Sequence, residues 1–83
     1  MIDYNELDKI RYYPLPYRIR RLRRLLGLSQ TEFAEKINSS QTLIALWEGG
    51  KYAPSEKSMD KIVKAFDLPS DFFLDIDIER MKG

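Results

Sequence analysis

The sequence predicts an all-α fold of five helices, and three observations predict it. From Tyr17 onward the apolar residues recur at helical rather than strand spacing. Each periodic stretch is preceded by a serine or proline of the kind that starts a helix, and Gly27, Asn38 and Gly49-Gly50 stand where the first three must stop. The length of 83 residues, with 43% hydrophobic, supplies material for one modest core.

The first helix is expected over Tyr17 to Leu26. At 100° per residue Ile19, Leu22, Leu25 and Leu26 share an arc, with Arg23 at its edge and Arg20, Arg21 and Arg24 on a solvated far side. Pro14 and Pro16 are expected to bar extension backwards, and Gly27 to close the helix in the left-handed conformation. Ser29 and Glu32 then form a capping-box sequence, flanked by the staple pair Leu28 and Phe33. A second helix follows from about Gln30 to Ile37, with Phe33, Ala34 and Ile37 inward. Asn38-Ser39-Ser40 makes a short turn, because Asn tolerates a left-handed residue. Ser40 caps a third helix, Gln41 to Glu48, whose wheel buries Ile44 and Trp47 and turns Thr42 and Leu46 outward.

Pro54-Ser55 opens a fourth helix with Met59, Ile62, Val63 and Phe66 in register, and Pro69-Ser70 a short fifth carrying Phe72, Phe73 and Leu74. Beyond Leu74 the apolar residues alternate with Asp75, Asp77 and Glu79, which suits a short strand or a frayed helix end equally. Such alternation is a charged edge far more often than a metal site, so no metal is expected. Ahead of the first helix, Ile2, Tyr4, Leu7 and Ile10 are apolar positions able to pack on the body or on a second subunit.

Composition removes whole classes of function. There is no Cys and no His, so disulfide scaffolds, thiolate zinc sites, cysteine nucleophiles and the commonest general base are all absent. An enzyme is therefore not expected, nor any cofactor. No apolar run reaches membrane-spanning length and the first residues carry no signal-peptide pattern, so the chain reads as soluble and cytoplasmic. The net charge of +1 conceals a segregation. Arg11, Arg18, Arg20, Arg21, Arg23 and Arg24 crowd fourteen residues that hold no acid, whereas five acids face Arg80 and Lys82 after Phe66. A basic front half suits a module that presents one face to an anion.

The second helix, three-residue turn and third helix have the spacing of a helix-turn-helix. With Ile-Arg-Arg-Leu-Arg (19–23), Gly-Leu-Ser-Gln (27–30), Phe-Ala-Glu-Lys-Ile (33–37), Trp-Glu-Gly-Gly-Lys (47–51) and Ala-Pro-Ser (53–55), the chain resembles the Cro and phage-repressor (lambda-repressor-like, XRE) family. The resemblance implies a domain over 17–74, with the motif at about 30–49, an N-terminal extension over 1–16 and an acidic tail over 75–83. It implies a transcription regulator, most often a repressor, bound as a homodimer to a palindrome in double-stranded DNA.

Residue by residue, the resemblance gives Gln30 the phosphate-gripping place that steadies the recognition helix. Gln41, Thr42 and Leu46 take base-contacting places, with Ser40, Leu43 and Ala45 beside them, and Lys51 and Tyr52 the loop that meets phosphate. The chemistry agrees for Gln41, whose amide matches the donor and acceptor of adenine. The resemblance also implies an ion pair of Arg23 with Glu48, while Phe72, Phe73 and Ile76 are expected to supply a dimer seam. The sequence departs from its relatives at Ser39, where an aliphatic residue is usual, and in an outer helix face without Lys or Arg. Hence the alternative function, a protein-interaction module of the same fold that uses exposed Leu43 and Leu46 to hold an antitoxin or anti-repressor partner.

Overall fold

A computed structural model describes residues 4–73, in which all regular structure is helical. The helices are α1 (Tyr4–Ile10), α2 (Leu15–Leu25), α3 (Gln30–Lys36), α4 (Gln41–Glu48) and α5 (Glu56–Ala65). Their number is the expected five, but they are distributed differently. A helix stands in the N-terminal extension, and the segment expected as the fifth is a turn. There Phe72 N–H donates to the Pro69 carbonyl at 3.0 Å and closes a single turn within the described residues. Leu74 and the alternating stretch 75–79 lie outside the described residues.

The chain divides into two compact units, Met1–Ala53 and Pro54–Gly83. In the first, α4 packs on both α2 and α3, and α1 packs on α2. Its interior is built from Leu7, Ile10, Ile19, Leu22, Phe33, Ala34, Ile37, Ile44 and Trp47, all buried. Leu7 and Ile10 are thus core positions of α1, one helical turn apart. In the second unit Met59, Ile62, Leu68, Phe72 and Phe73 are buried, and the two phenylalanine rings meet edge to face with centroids 4.9 Å apart.

Helix α2 starts two residues earlier than Pro16 was expected to allow. Pro16 occupies the first turn, where a missing N–H costs nothing because that donor has no intrahelical partner. Between α1 and α2 the buried Arg18 donates from Nε (3.2 Å) and Nη2 (3.0 Å) to the Tyr13 carbonyl, tying down the joint.

Starts and stops follow the side chains. Ser29 Oγ accepts from Glu32 N–H (3.1 Å) while Glu32 Oε1 accepts from Ser29 N–H (2.8 Å), the reciprocal capping box. Ser40 and Ser55 cap α4 and α5 from one side only, each Oγ accepting from the N–H three residues on, Leu43 and Ser58. Four helices then end alike. A left-handed residue, in turn Gly27, Asn38, Gly50 and Asp67, lets the following N–H reach back across the last turn. Leu28, Ser39, Lys51 and Leu68 donate to the carbonyls of Arg23, Ala34, Leu46 and Val63 at 2.8–3.1 Å.

Candidate nucleic-acid interface

The capping box brings Gln30 to the first position of α3, and the Ser40 cap does the same for Gln41 on α4. The turn at Asn38 sets these two helix starts side by side. Gln41 Nε2 donates to Gln30 Oε1 at 2.7 Å, and Gln30 Nε2 in turn donates to Glu48 Oε1 at 3.3 Å. Glu48 is buried, its side chain only 2% exposed. Arg23 grips it with two hydrogen bonds, Nε to Oε2 at 2.7 Å and Nη2 to Oε1 at 3.0 Å, while Nη1 donates to the Leu28 carbonyl at 2.9 Å. One arginine therefore joins α2, the loop before α3 and the end of α4.

Arg20 joins the same cluster, against the expectation of a solvated side chain. Its Nε lies 3.5 Å from Glu48 Oε1 and its Nη2 donates to the Glu48 carbonyl at 3.3 Å. The signal for this was its spacing: Arg20 precedes Arg23 by three residues and shares its face. A cation at the carbonyl end of α4 is also favoured by the helix dipole. Burial works to raise the pKa of the Glu48 carboxyl. Hydrogen bonds from Arg23 and Gln30 and the charges of both arginines outweigh it, and the net result lies below the ordinary carboxylate range. The same hydrogen bonding raises the Arg23 pKa.

Outside this cluster Gln41 and Thr42 are exposed, as are Ser40, Lys51 and Tyr52. Gln41 donates to Gln30 and has no other partner among the described residues, which leaves Oε1 and the second N–H of this exposed residue without a protein partner there. Leu43, Ala45 and Leu46 are half-buried rather than exposed, which corrects the expected apolar outer face. Lys51 and Tyr52 both donate their N–H to the Leu46 carbonyl, at 3.0 and 3.4 Å, and so close the end of α4. The seam expected at Phe72, Phe73 and Ile76 also changes. Both rings are already inside one chain, 1% and 5% exposed, and Ile76 lies outside the described residues.

Two short helices joined by a left-handed asparagine, the second presenting polar residues from its first turn, define a helix-turn-helix protein. The helix-turn-helix family model matches residues 19–73, two thirds of the chain, and the chain belongs to that family in its Cro/phage-repressor (XRE) type. The family is one of DNA-binding transcription regulators rather than enzymes. No curated protein and no solved structure matches the chain. Among the described residues no helix is long and apolar enough to cross a membrane, and no acidic cluster is built to hold a metal ion.

Proposed function

We propose that the chain is a sequence-specific repressor that works in the cytoplasm and reads the major groove with α4. The observation that carries this reading is the Gln41 amide, exposed at the start of α4 and held by Gln30 with one acceptor and one donor outward. Adenine offers the complement, an N6 amino donor and an N7 acceptor, and such a bidentate pair discriminates by about 1–3 kcal/mol. Thr42 stands next to it to meet a thymine methyl or donate a hydrogen bond. Ser40, Leu43, Ala45 and Leu46 complete the contact surface along the helix. Lys51 and Tyr52 take the phosphate backbone, and the second N–H of Gln30 reaches the same strand. A homodimer doubles the readout on a palindrome.

Selection from a random duplex library at about 0.1 M salt, where non-specific binding is already weakened, tests the reading. A palindrome with adenine at the Gln41 contact is expected, and no enrichment by the folded protein overturns it. The rival reading, a protein-interaction module for an antitoxin or anti-repressor partner, relies on Leu43 and Leu46. Their half-burial gives it less apolar surface to offer.

A further inference from the structure

We propose that Glu48, which touches no DNA, decides which base Gln41 reads by fixing the polarity of a side-chain relay. The proposal rests on the reading of Gln41 as the base contact.

An ionised carboxylate only accepts. Gln30 must therefore turn its NH2 group toward Glu48 Oε1, at 3.3 Å. The amide has two ends, so its Oε1 is left facing α4. Gln41 can satisfy that oxygen only with an N–H, and it does so at 2.7 Å. What Gln41 then offers the groove is Oε1 and one N–H, the complement of adenine. Reversing the relay would bring Gln30 oxygen against Glu48 oxygen and Gln30 NH2 against Gln41. Gln41 would give one lone pair of its oxygen to Gln30 and turn both N–H groups to the groove, with only the second lone pair left beside them. Two donors suit O6 and N7 of guanine, both acceptors. The choice between the two purines is thus made by a buried negative charge at the far end of the recognition helix. Arg23 and Arg20 keep that charge ionised and in place, through contacts of 2.7, 3.0 and 3.5 Å.

Glu48 is a positioning residue in this scheme, so its test must separate reading from folding. The Arg23→Met/Glu48→Met double variant removes the acceptor together with its main partner. Replacing both members of a buried pair by apolar residues of similar size is often neutral for stability. The probe is the duplex selected by the wild-type protein, with the base opposite Gln41 set to A, G, C or T. In the wild type, adenine over guanine is expected to be about tenfold or more. In the double variant, melting as the wild type does, that ratio is expected to fall to within about twofold, while Kd for the guanine duplex changes little. A folded double variant that keeps the wild-type ratio overturns the proposal.

Should the double variant not fold, side-chain amide NMR replaces it. The Gln41 NH2 signal of the wild type is expected to move with the titration of the Glu48 carboxyl, and to stay still in Gln30→Met, where the ion pair is intact but the relay is cut. A Gln41 signal indifferent to Glu48 in the wild type overturns the proposal equally. Gln41→Ala keeps the two ideas apart. If that variant retains the adenine preference, Gln41 is not the reader and the functional reading fails. If it loses the preference while the double variant keeps it, only the relay fails.

Discussion

Glu48 carries a charge inside the protein, and the groups that hold it there come from separate places in the chain: Arg20 and Arg23 on α2 and Gln30 on α3. Removing Arg23 strands most of that charge. Breaking one side of a buried pair costs about 3–5 kcal/mol. Arg20, with a side chain 38% exposed, is free to shift toward Glu48, so Arg23→Ala is expected near the low end of that range. Urea denaturation measures it, and an unfolding curve superposable on the wild type would remove the ion pair from the account. DNA affinity of the remaining folded protein is expected to change less than stability does. The carboxyl also sets an acid limit. Its folded pKa lies below its ordinary value, so the folded state binds this proton less tightly than the unfolded chain. The stabilisation is complete above about pH 4.3 and is lost as pH falls through the lower folded value. Glu32, lowered by the hydrogen bond from Ser29 N–H, acts in the same direction. The urea midpoint is expected to drop below about pH 4. Glu48→Gln should start lower at neutral pH and lose less on acidification.

At the scale of helices, the stops are as informative as the starts. Gly27 is left-handed at φ 72°, and a Cβ built there meets nothing within 4 Å. The cost of Gly27→Ala is then conformational, about 1–2 kcal/mol for the left-handed backbone. A less flexible unfolded chain returns roughly 0.4–1 of it. A net loss of about 1 kcal/mol is expected. Asp67 occupies the same place after α5 with φ 52°, so Asp67→Gly is expected to stabilise by about 0.5 kcal/mol. If both variants unfold at the wild-type urea concentration, left-handed caps contribute nothing here. The sequence displayed Gly27, Asn38 and Gly50 because these residue types favour that conformation. It hid Asp67, whose type is less specific. The same contrast explains the helices. The cores of α2 to α5 were legible because capping residues and a full apolar period agree on each. Helix α1 was not, since seven residues with Leu7 and Ile10 buried make too short a period, and packing on α2 supplies what propensity lacks. In the candidate interface, the family resemblance pointed to Gln41 and its hydrogen-bonding type agreed, whereas the joining of Gln41, Gln30 and Glu48 needs three dimensions.

Charge belongs to the whole molecule, and the structure redistributes what the sequence concentrates. Of the six arginines between Tyr12's neighbour Arg11 and Arg24, Arg11 pairs with Asp8, Arg18 is buried against the Tyr13 carbonyl, and Arg20 and Arg23 converge on Glu48. Arg21 and Arg24 remain exposed, on the side of α2 turned away from its buried residues Ile19 and Leu22. Between Leu25 and Glu56 the chain has two cations, Lys36 and Lys51, both exposed. An electrostatic footprint carried by these two predicts a shallow salt dependence. Each phosphate neutralised contributes a slope of about −0.9 in log affinity against log salt, so two per subunit give about −4 for a dimer. Engagement of Arg21 and Arg24 as well would steepen it to about −7. Kd measured on the selected duplex between about 50 and 200 mM salt separates the two, because the weakening differs by a factor of about 100 over that range. The shallow slope is expected. Arg21→Gln and Arg24→Gln should then leave it unchanged, and Lys51→Gln should reduce it by about two for the dimer. A slope near −7 that either arginine substitution reduces would return the arginine run to the DNA and place the backbone along α2.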